Sequence, residues 1–257
     1  MSTLSVIVIT KNEERNIHAC LTSVKWANEV VVVDSGSTDN TIAIAKEFTP
    51  NVYVRVWEGF GAAKNYALKQ ATGEWILWLD ADERVTSDLQ NEIQMVLATD
   101  QKRIAAYRMP RKANFLGSWI NHCGWYPGRV VRLFRRTAGT FSDDKVHEHL
   151  EVTGSIGVLH ADLLHYTDPD LFHYYEKYNR YTSLAAEGLA KRGKRFHLAN
   201  LLFNPLWIFI KMYLLGLGFL DGIPGLILCG CSANYVFTKY AKLWELSLQG
   251  NQHHGTR

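Results

Sequence analysis

The chain has 257 residues, of which 47% are hydrophobic and 21% charged, and its formal net charge is +3. Those values fit one large domain, or a catalytic domain with an appendage, and exclude a disordered chain. The small net charge argues against a dedicated nucleic-acid binder, so no nucleic-acid partner is expected.

The N-terminus enters "LSVIVI" (Leu4–Ile9) with no basic leader and no cleavage site, which predicts a strand rather than a signal peptide. "NEERNIHACLTSVKW" has helical spacing through Ile17, Leu21 and Val24, and "EVVVVD" (Glu29–Asp34) is a second strand. "STDNTIAIAKEF" predicts a second helix with Ser37 or Thr38 as its N-cap. "VYVRVW", "AAKNYALKQA" and "WILWLD" continue as strand, helix and strand. Strands that are apolar on both faces and alternate with helices predict an α/β fold with a mostly parallel sheet flanked by helices. After residue 100, "GRVVRLFRR" and "KVHEHLEV" read as antiparallel strands around the turn-rich "TAGTFSDD". From Asp170 onward the chain reads as helix, and it is strongly apolar from Leu201 to Cys231. The predicted division is a catalytic domain over 1–168 and a helical C-terminal extension over 169–257.

That extension is basic. From His173 to Arg257 there are ten Lys/Arg against four Asp/Glu. "LLFNPLWIFIKMYLLGLGFL" has the length of a membrane helix, but Asn204, Pro205 and Lys211 interrupt it and Asp221 ends it. An amphipathic or re-entrant segment in the cytoplasmic leaflet is therefore expected, with "KRGKR" (Lys191–Arg195) meeting anionic headgroups. The other reading is a helix that covers the sheet or a partner subunit. Cys20, Cys123, Cys229 and Cys231 form no zinc pattern and no disulfide framework. They predict reduced thiols and a cytoplasmic protein, which the basic, apolar tail would hold peripherally at a membrane surface.

Ligands of such sheets bind beyond the carboxyl ends of the strands. Polar residues collect there: Thr10, Asn12 and Glu13 after strand one, Asp34 after strand two, Asp80 and Asp82 after strand four. Two aspartates at i, i+2 repel unless a cation stands by them. One reading is a polar loop in which Asp82 caps the next helix. The other is a seat for Mg²⁺ or Mn²⁺, which takes one or two carboxylates and completes its shell with water and phosphate oxygens. No P-loop is present, and "GFGAAKN" lacks the later glycines of a dinucleotide fingerprint. Lys64, at the start of a helix where the dipole favours anions, is either solvated or set against a bound anion.

"SVIVITKNEERNI", "VVVVDSGSTDNT", "AAKNYAL" and "GEWILWLDADERV" together resemble the nucleotide-sugar half of a family 2 glycosyltransferase with the GT-A fold. "GWYPGRVVRLFRR" and "VHEHLEV" are similar to the bacterial lipopolysaccharide-core β-1,4-glucosyltransferases that act on the first heptose. The resemblance covers about residues 4–165, and more loosely "GFLDGIPGLILCGCSANYVFTKYAKLWE". It implies an inverting hexosyltransferase with a UDP-sugar donor, glucose in the first instance, a divalent metal and a lipid A-linked core acceptor. By position, Thr10, Asn12, Glu13 and Asp34 would hold the uridine and Lys64 the sugar or diphosphate. Asp80 would meet ribose or a water of the ion, and Asp82 the ion itself. Another lipid-linked or polysaccharide acceptor, or a UDP-sugar-binding module without catalysis, are the alternatives. A nucleotidyltransferase would need a glycine-rich triphosphate loop near the N-terminus, and none is present.

The acidic dipeptide that serves as base in many relatives is not evident here. If "VHEHLEV" is a strand, Val146, Glu148, Leu150 and Val152 share one face. A carboxylate on an apolar face has a raised pKa, which suits a general base for an acceptor hydroxyl. A salt bridge to an arginine of "GRVVRLFRR" is the other reading. Asp143, with Asp144, is the reserve candidate. "HEH" fails the H-E-x-x-H test because Glu151 stands four after His147. His165 retains a possible metal role, whereas His160 reads as structural. Trp119, Trp125 and Tyr126 lie in a glycine-interrupted loop where rings stack on sugars or pack in a core. Arg129 and Arg132 suit phosphates of an acceptor lipid.

Overall fold

The computed structural model describes residues 2–99, 103–142 and 149–252. β1 (Leu4–Thr10), α1 (Ile17–Thr22), β2 (Glu29–Asp34), α2 (Thr41–Phe48), β3 (Val52–Val54), α3 (Phe60–Gln70) and β4 (Trp75–Asp80) alternate as the apolar runs require. There follow β5 (Glu83–Val85), α4 (Ser87–Thr99), β6 (Ile104–Phe115), β7 (Ser118–Trp119), β8 (Gly128–Arg135), β9 (Gly139–Phe141), β10 (Leu150–Val152), β11 (Ser155–Val158) and β12 (Leu163–Asp168). The C-terminal part is helical: α5 (Leu171–Lys191), α6 (Leu198–Ile210), a π-helical turn (Lys211–Leu215), a 3-10 turn (Gly218–Asp221) and α7 (Gly222–Gln252).

The main sheet runs β3-β2-β1-β4-β8-β6-β12-β5. β1 pairs in parallel with both β2 and β4. The chain therefore steps outward from β1 to β3, then returns to the far side of β1 as β4. The gap between β1 and β4 is a topological switch point, where α/β sheets bind ligands. Every residue of β1 is buried. Leu4, Val6 and Val8 join the core on one side of the sheet with Ile17, Leu21 and Leu89, while Ile7 and Ile9 join Val31, Ile76 and Phe134 on the other. Alternate side chains of one strand thus feed two cores. β8 is antiparallel to both β4 and β6, and β9 pairs antiparallel with β10 as the sequence predicts for this region.

One detail differs from the sequence reading. α2 begins at Thr41 with Asn40 as its N-cap, not after Ser37 or Thr38. Asp39 accepts hydrogen bonds from the N–H (3.0 Å) and hydroxyl (2.5 Å) of Thr41, and Asp34 accepts from Gly36 and Ser37. These local acceptors hold 35–40 as a loop in competition with helix. Of "VHEHLEV", Leu150–Val152 is strand, and Val146–Glu148 lie outside the described residues.

The chain forms two compact units, residues 1–112 with 128–166 and residues 113–127 with 167–257. In the second, Phe115, Ile120 and Cys123 form a core with Leu228 and Cys229, which binds the 113–127 segment to the helices. Asp170 caps α5 by accepting from the N–H of His173 at 2.8 Å. α5 is tied to α7 where the Tyr178 hydroxyl donates to the Asn234 carbonyl at 2.9 Å and Lys242 Nζ donates to the Asn179 carbonyl at 2.8 Å.

All four cysteines are buried and reduced, and the closest sulfurs, Cys123 and Cys229, stand 3.6 Å apart. Burial, with the nearby charges of Glu83, Asp82 and Asp80, pushes the Cys20 thiol well above its usual range. Native protein at pH 8 is expected to show no fast-reacting thiol toward Ellman's reagent, and all four after denaturation. A thiol that reacts rapidly in the native protein would contradict this burial.

Candidate active site

The register aligns Thr10 with Asp34 and Ile9 with Asp80, so the carboxyl ends of β1, β2 and β4 lie side by side. Two loops rise from that edge and are laced together. Asp34 is fully buried and accepts from the N–H groups of Gly36 (2.9 Å) and Ser37 (2.7 Å) and from the Ser37 hydroxyl (2.5 Å). The Ser37 hydroxyl accepts from the Asn12 N–H at 2.8 Å, and Asn12 Oδ1 accepts from the Thr38 N–H at 2.8 Å. Asn12 holds a left-handed conformation (φ 55°), which asparagine tolerates better than most residues. The Glu13 N–H donates to the Thr41 hydroxyl, and Glu13 Oε2 accepts from Asn16. Asn12, Glu13 and Asp34 therefore shape the loops around the switch point. The Thr10 hydroxyl differs, because it is buried without a hydrogen-bond partner among the described residues. A buried, unpaired hydroxyl is costly, and one at this edge is a fitting partner for a polar ligand.

The acids beyond β4 are partnered separately. The Arg132 guanidinium, 2% exposed, donates to Asp80 Oδ2 at 2.8 Å and to Glu83 Oε1 at 2.5 Å. Glu83 has no exposed side-chain surface, accepts from the Asp80 N–H at 3.1 Å and receives Arg111 at 3.4 Å. Arg132 also lies 3.4 Å from the centroid of the Trp78 ring, and the Lys64 ammonium lies 4.1 Å from the same centroid. The Trp78 indole N–H donates to the Val131 carbonyl at 2.9 Å, which fixes the ring. Lys64 is itself buried as the fifth residue of α3, one turn in rather than at the start that the sequence suggested, and the N-cap Gly59 has a φ (118°) that disfavours other residues. Burial raises the Asp80 carboxyl, but Arg132, Lys64 and His165 together hold it below its usual range. Burial dominates for Glu83 and, with the charge of Asp80, pushes it up against the opposing pull of Arg132.

Asp82 meets a different partner. Its Oδ2 lies 3.2 Å from His165 Nε2, and both side chains are mostly buried. β12 brings the histidine there by pairing antiparallel with β5, His165 opposite Glu83. Among the described residues no three His, Cys, Asp or Glu side chains converge as a metal cage. A carboxylate beside an imidazole still fits a cation that takes most of its ligands from water and phosphate.

Of the residues expected to meet an acceptor, Arg129 is exposed on β8, whereas Arg132 is buried and spent on Asp80 and Glu83. Trp125 is half-buried in the other unit, 6.2 Å from the Phe115 ring. Glu148, Asp143 and Asp144 lie outside the described residues. The segment that carries them is bounded by Ser142, whose N–H donates to the His149 carbonyl at 3.0 Å. Ser142 follows Phe141, which Asn65 of α3 holds at both backbone atoms and whose ring stacks edge-on with Trp78 at 5.4 Å. Sequence reasoning missed Glu83 and the Arg132 pairing. The available signal was an arginine in a run of apolar strand residues, "VVRLF", opposite three acids within four residues.

Residues 5–146 match Glycosyl transferase family 2. An uncharacterized glycosyltransferase of Rickettsia typhi is 32% identical over 260 residues, covering 97% of this chain and 89% of that one. The lipopolysaccharide core biosynthesis glycosyltransferase LpsC of Rhizobium meliloti is 30% identical over 249 residues, covering 94% and 92%. Among solved structures, S. aureus TarS 1–349 aligns with a TM-score of 0.46 at 19% identity, over 96% of this chain and 92% of that one. With its switch-point site at the carboxyl ends of β1, β2 and β4, this chain belongs to glycosyl transferase family 2 and is a glycosyltransferase.

Proposed function

We propose that this glycosyltransferase moves a hexose, glucose in the first instance, from a UDP-sugar to a heptose of the lipopolysaccharide inner core, with inversion. The observation that carries the donor half is the pair Asp82–His165 at the same sheet edge as the unpaired Thr10 hydroxyl. Thr10 would take a polar atom of the nucleotide between the loops that Asp34, Asn12 and Glu13 shape. Asp82 and His165 would hold the Mg²⁺ or Mn²⁺ ion, and Asp80, with 35% of its side chain exposed, would reach ribose. The bound ion would offset the charge that develops on departing UDP. Lys64 lies at the site as a buried cation suited to the diphosphate.

Glu148 is the proposed base, with Asp143 in reserve. It takes the proton of the acceptor hydroxyl while that oxygen bonds to the anomeric carbon and the bond from that carbon to the diphosphate oxygen breaks on the opposite face. LpsC, named for lipopolysaccharide core biosynthesis, supports the acceptor class. Arg129 would meet phosphate on that acceptor. The acceptor is lipid-linked, and the exposed basic run Lys191–Arg195 followed by apolar α6 supports work at an anionic membrane surface, on the cytoplasmic face of the inner membrane.

Calorimetric titration of UDP with and without Mn²⁺, on native protein and Asp82→Ala, tests the donor site. Binding that strengthens with Mn²⁺ in the native protein, and loses that dependence in the variant, is expected. Equal binding in all four experiments would remove the metal from the reading.

A further inference from the structure

The sequence places Asp221 at the end of an apolar run, yet the structure continues the apolar surface past it. Leu198–Leu215 has a mean hydropathy of 1.5 and none of it is buried. Leu202, Phe203, Leu206 and Trp207 are all exposed, and their spacing puts them along one side of α6. Beyond the π-helical turn, Leu220 (58%) and Ile223 (74%) remain exposed on the elbow that joins α6 to α7. A soluble monomer rarely leaves so long an apolar stripe uncovered.

Charge indicates what covers it. From residue 188 to 244 the chain holds one acid, Asp221, whereas Lys191, Arg192, Lys194 and Arg195 stand exposed just before α6. Asp221 is turned inward, with 3% of its side chain exposed. It accepts hydrogen bonds from the N–H groups of Asn121 (3.2 Å) and His122 (2.9 Å), and His122 Nδ1 lies 2.8 Å away. The Cys123 N–H donates to the Gly216 carbonyl at 2.8 Å, closing the same turn. Gly218 and Gly225 are needed for so tight an elbow, because a Cβ on either would come within 3 Å of neighbouring atoms. The outer surface of this segment is thus apolar and cationic with no acid. A second copy docked through the same face would bring the same cations and nothing to meet them, whereas an anionic leaflet supplies both hydrocarbon and counter-charge.

We propose that α6 and the elbow Leu215–Ile223 insert into one leaflet of an anionic membrane, with Asp221 withdrawn from the lipid by the loop Asn121–Cys123. This rests on the membrane-surface reading above and adds which segment enters and how its one acid is hidden. Lys211, exposed one turn beyond Trp207 in the same row, reaches to the headgroups by its long stem.

The test is flotation of the full chain with phosphatidylglycerol-containing vesicles and with phosphatidylcholine vesicles, joined to a fluorescent label at Ile223→Cys. Native protein is expected to float with the anionic vesicles. The label is expected to be quenched by nitroxide on the acyl chains and shielded from iodide. Leu220→Asp, which adds an acid on the outer surface beside the withdrawn Asp221, should lower the bound fraction about tenfold or more, while Asp221→Asn should float as the native protein does. Circular dichroism checks that both variants are folded. If native protein floats with neither vesicle, the membrane-surface reading fails and this inference with it. If it floats while the label stays open to iodide, or while folded Leu220→Asp floats equally well, elbow insertion is wrong and the surface reading stands.

Discussion

Replacing Arg132 by Met is expected to lower stability by about 3–5 kcal/mol, the usual cost of leaving one partner of a buried ion pair alone. For a protein of this size that is a fall in Tm of roughly 10 °C. The reason is the position of Glu83. Its carboxylate has no contact with solvent, and the other arginine paired with it, Arg111, stands further off at 3.4 Å. Asp80 keeps a third of its exposure and can fall back on water. A double variant, Arg132→Met with Glu83→Gln, should recover most of the lost stability because the buried charge is gone. It should not recover nucleotide affinity, since Asp80 would still lack the guanidinium that aims it. Arg132→Lys separates the two roles from the other side. It keeps a charge but loses the fork that bridges two carboxylates and the stack on Trp78, so a higher KM for the donor is expected with a smaller loss in Tm. Thermal melts and donor titrations of the three variants check this. An Arg132→Met protein that melts within about 2 °C of native would show that the network carries little.

The parts of the molecule that sequence made legible are those with a period. β1, β2 and β4 are apolar on both faces and alternate with helices, as the strands of a covered parallel sheet do. Their carboxyl ends could then be lined up, which brought Thr10, Asp34, Asp80 and Asp82 to one edge before any coordinates. Partners across the fold have no period. Arg132 follows Asp80 by 52 residues, and the pattern of β8 told that it was a strand, not that its arginine points into two carboxylates. Asp221 is a stronger case, because the atoms that enclose it come from residues about 100 positions earlier. Its place in an apolar run reads from sequence as an interruption, and its inward turn is visible only in the fold. The start of α2 departs from the sequence pattern for a local reason. Serine and threonine are good caps, but Asp34 and Asp39 had already claimed the nearby N–H groups.

Asp34→Ala is expected to cost about 1–3 kcal/mol, the penalty for leaving inward-facing donors unpaired, and to weaken UDP binding at least about tenfold, a further 1.4 kcal/mol. The argument runs through geometry. One carboxylate holds Gly36 and Ser37, Ser37 holds the Asn12 N–H, and Asn12 holds Thr38. Removing the carboxylate releases both loops at the switch point, together with the left-handed turn at Asn12. Asp34→Asn keeps an oxygen for the two N–H groups and gives up only the acceptor of the Ser37 hydroxyl. If Asp34 acts by shaping the loops, Asn should fall between native and Ala in both denaturant stability and UDP affinity, the two losses tracking each other. If it acts on the uridine directly, Asn should keep most of the stability and lose as much affinity as Ala. Paired denaturation and calorimetry on the two variants decide between them. The present geometry, with three hydrogen bonds already taken by the loop, favours the first outcome.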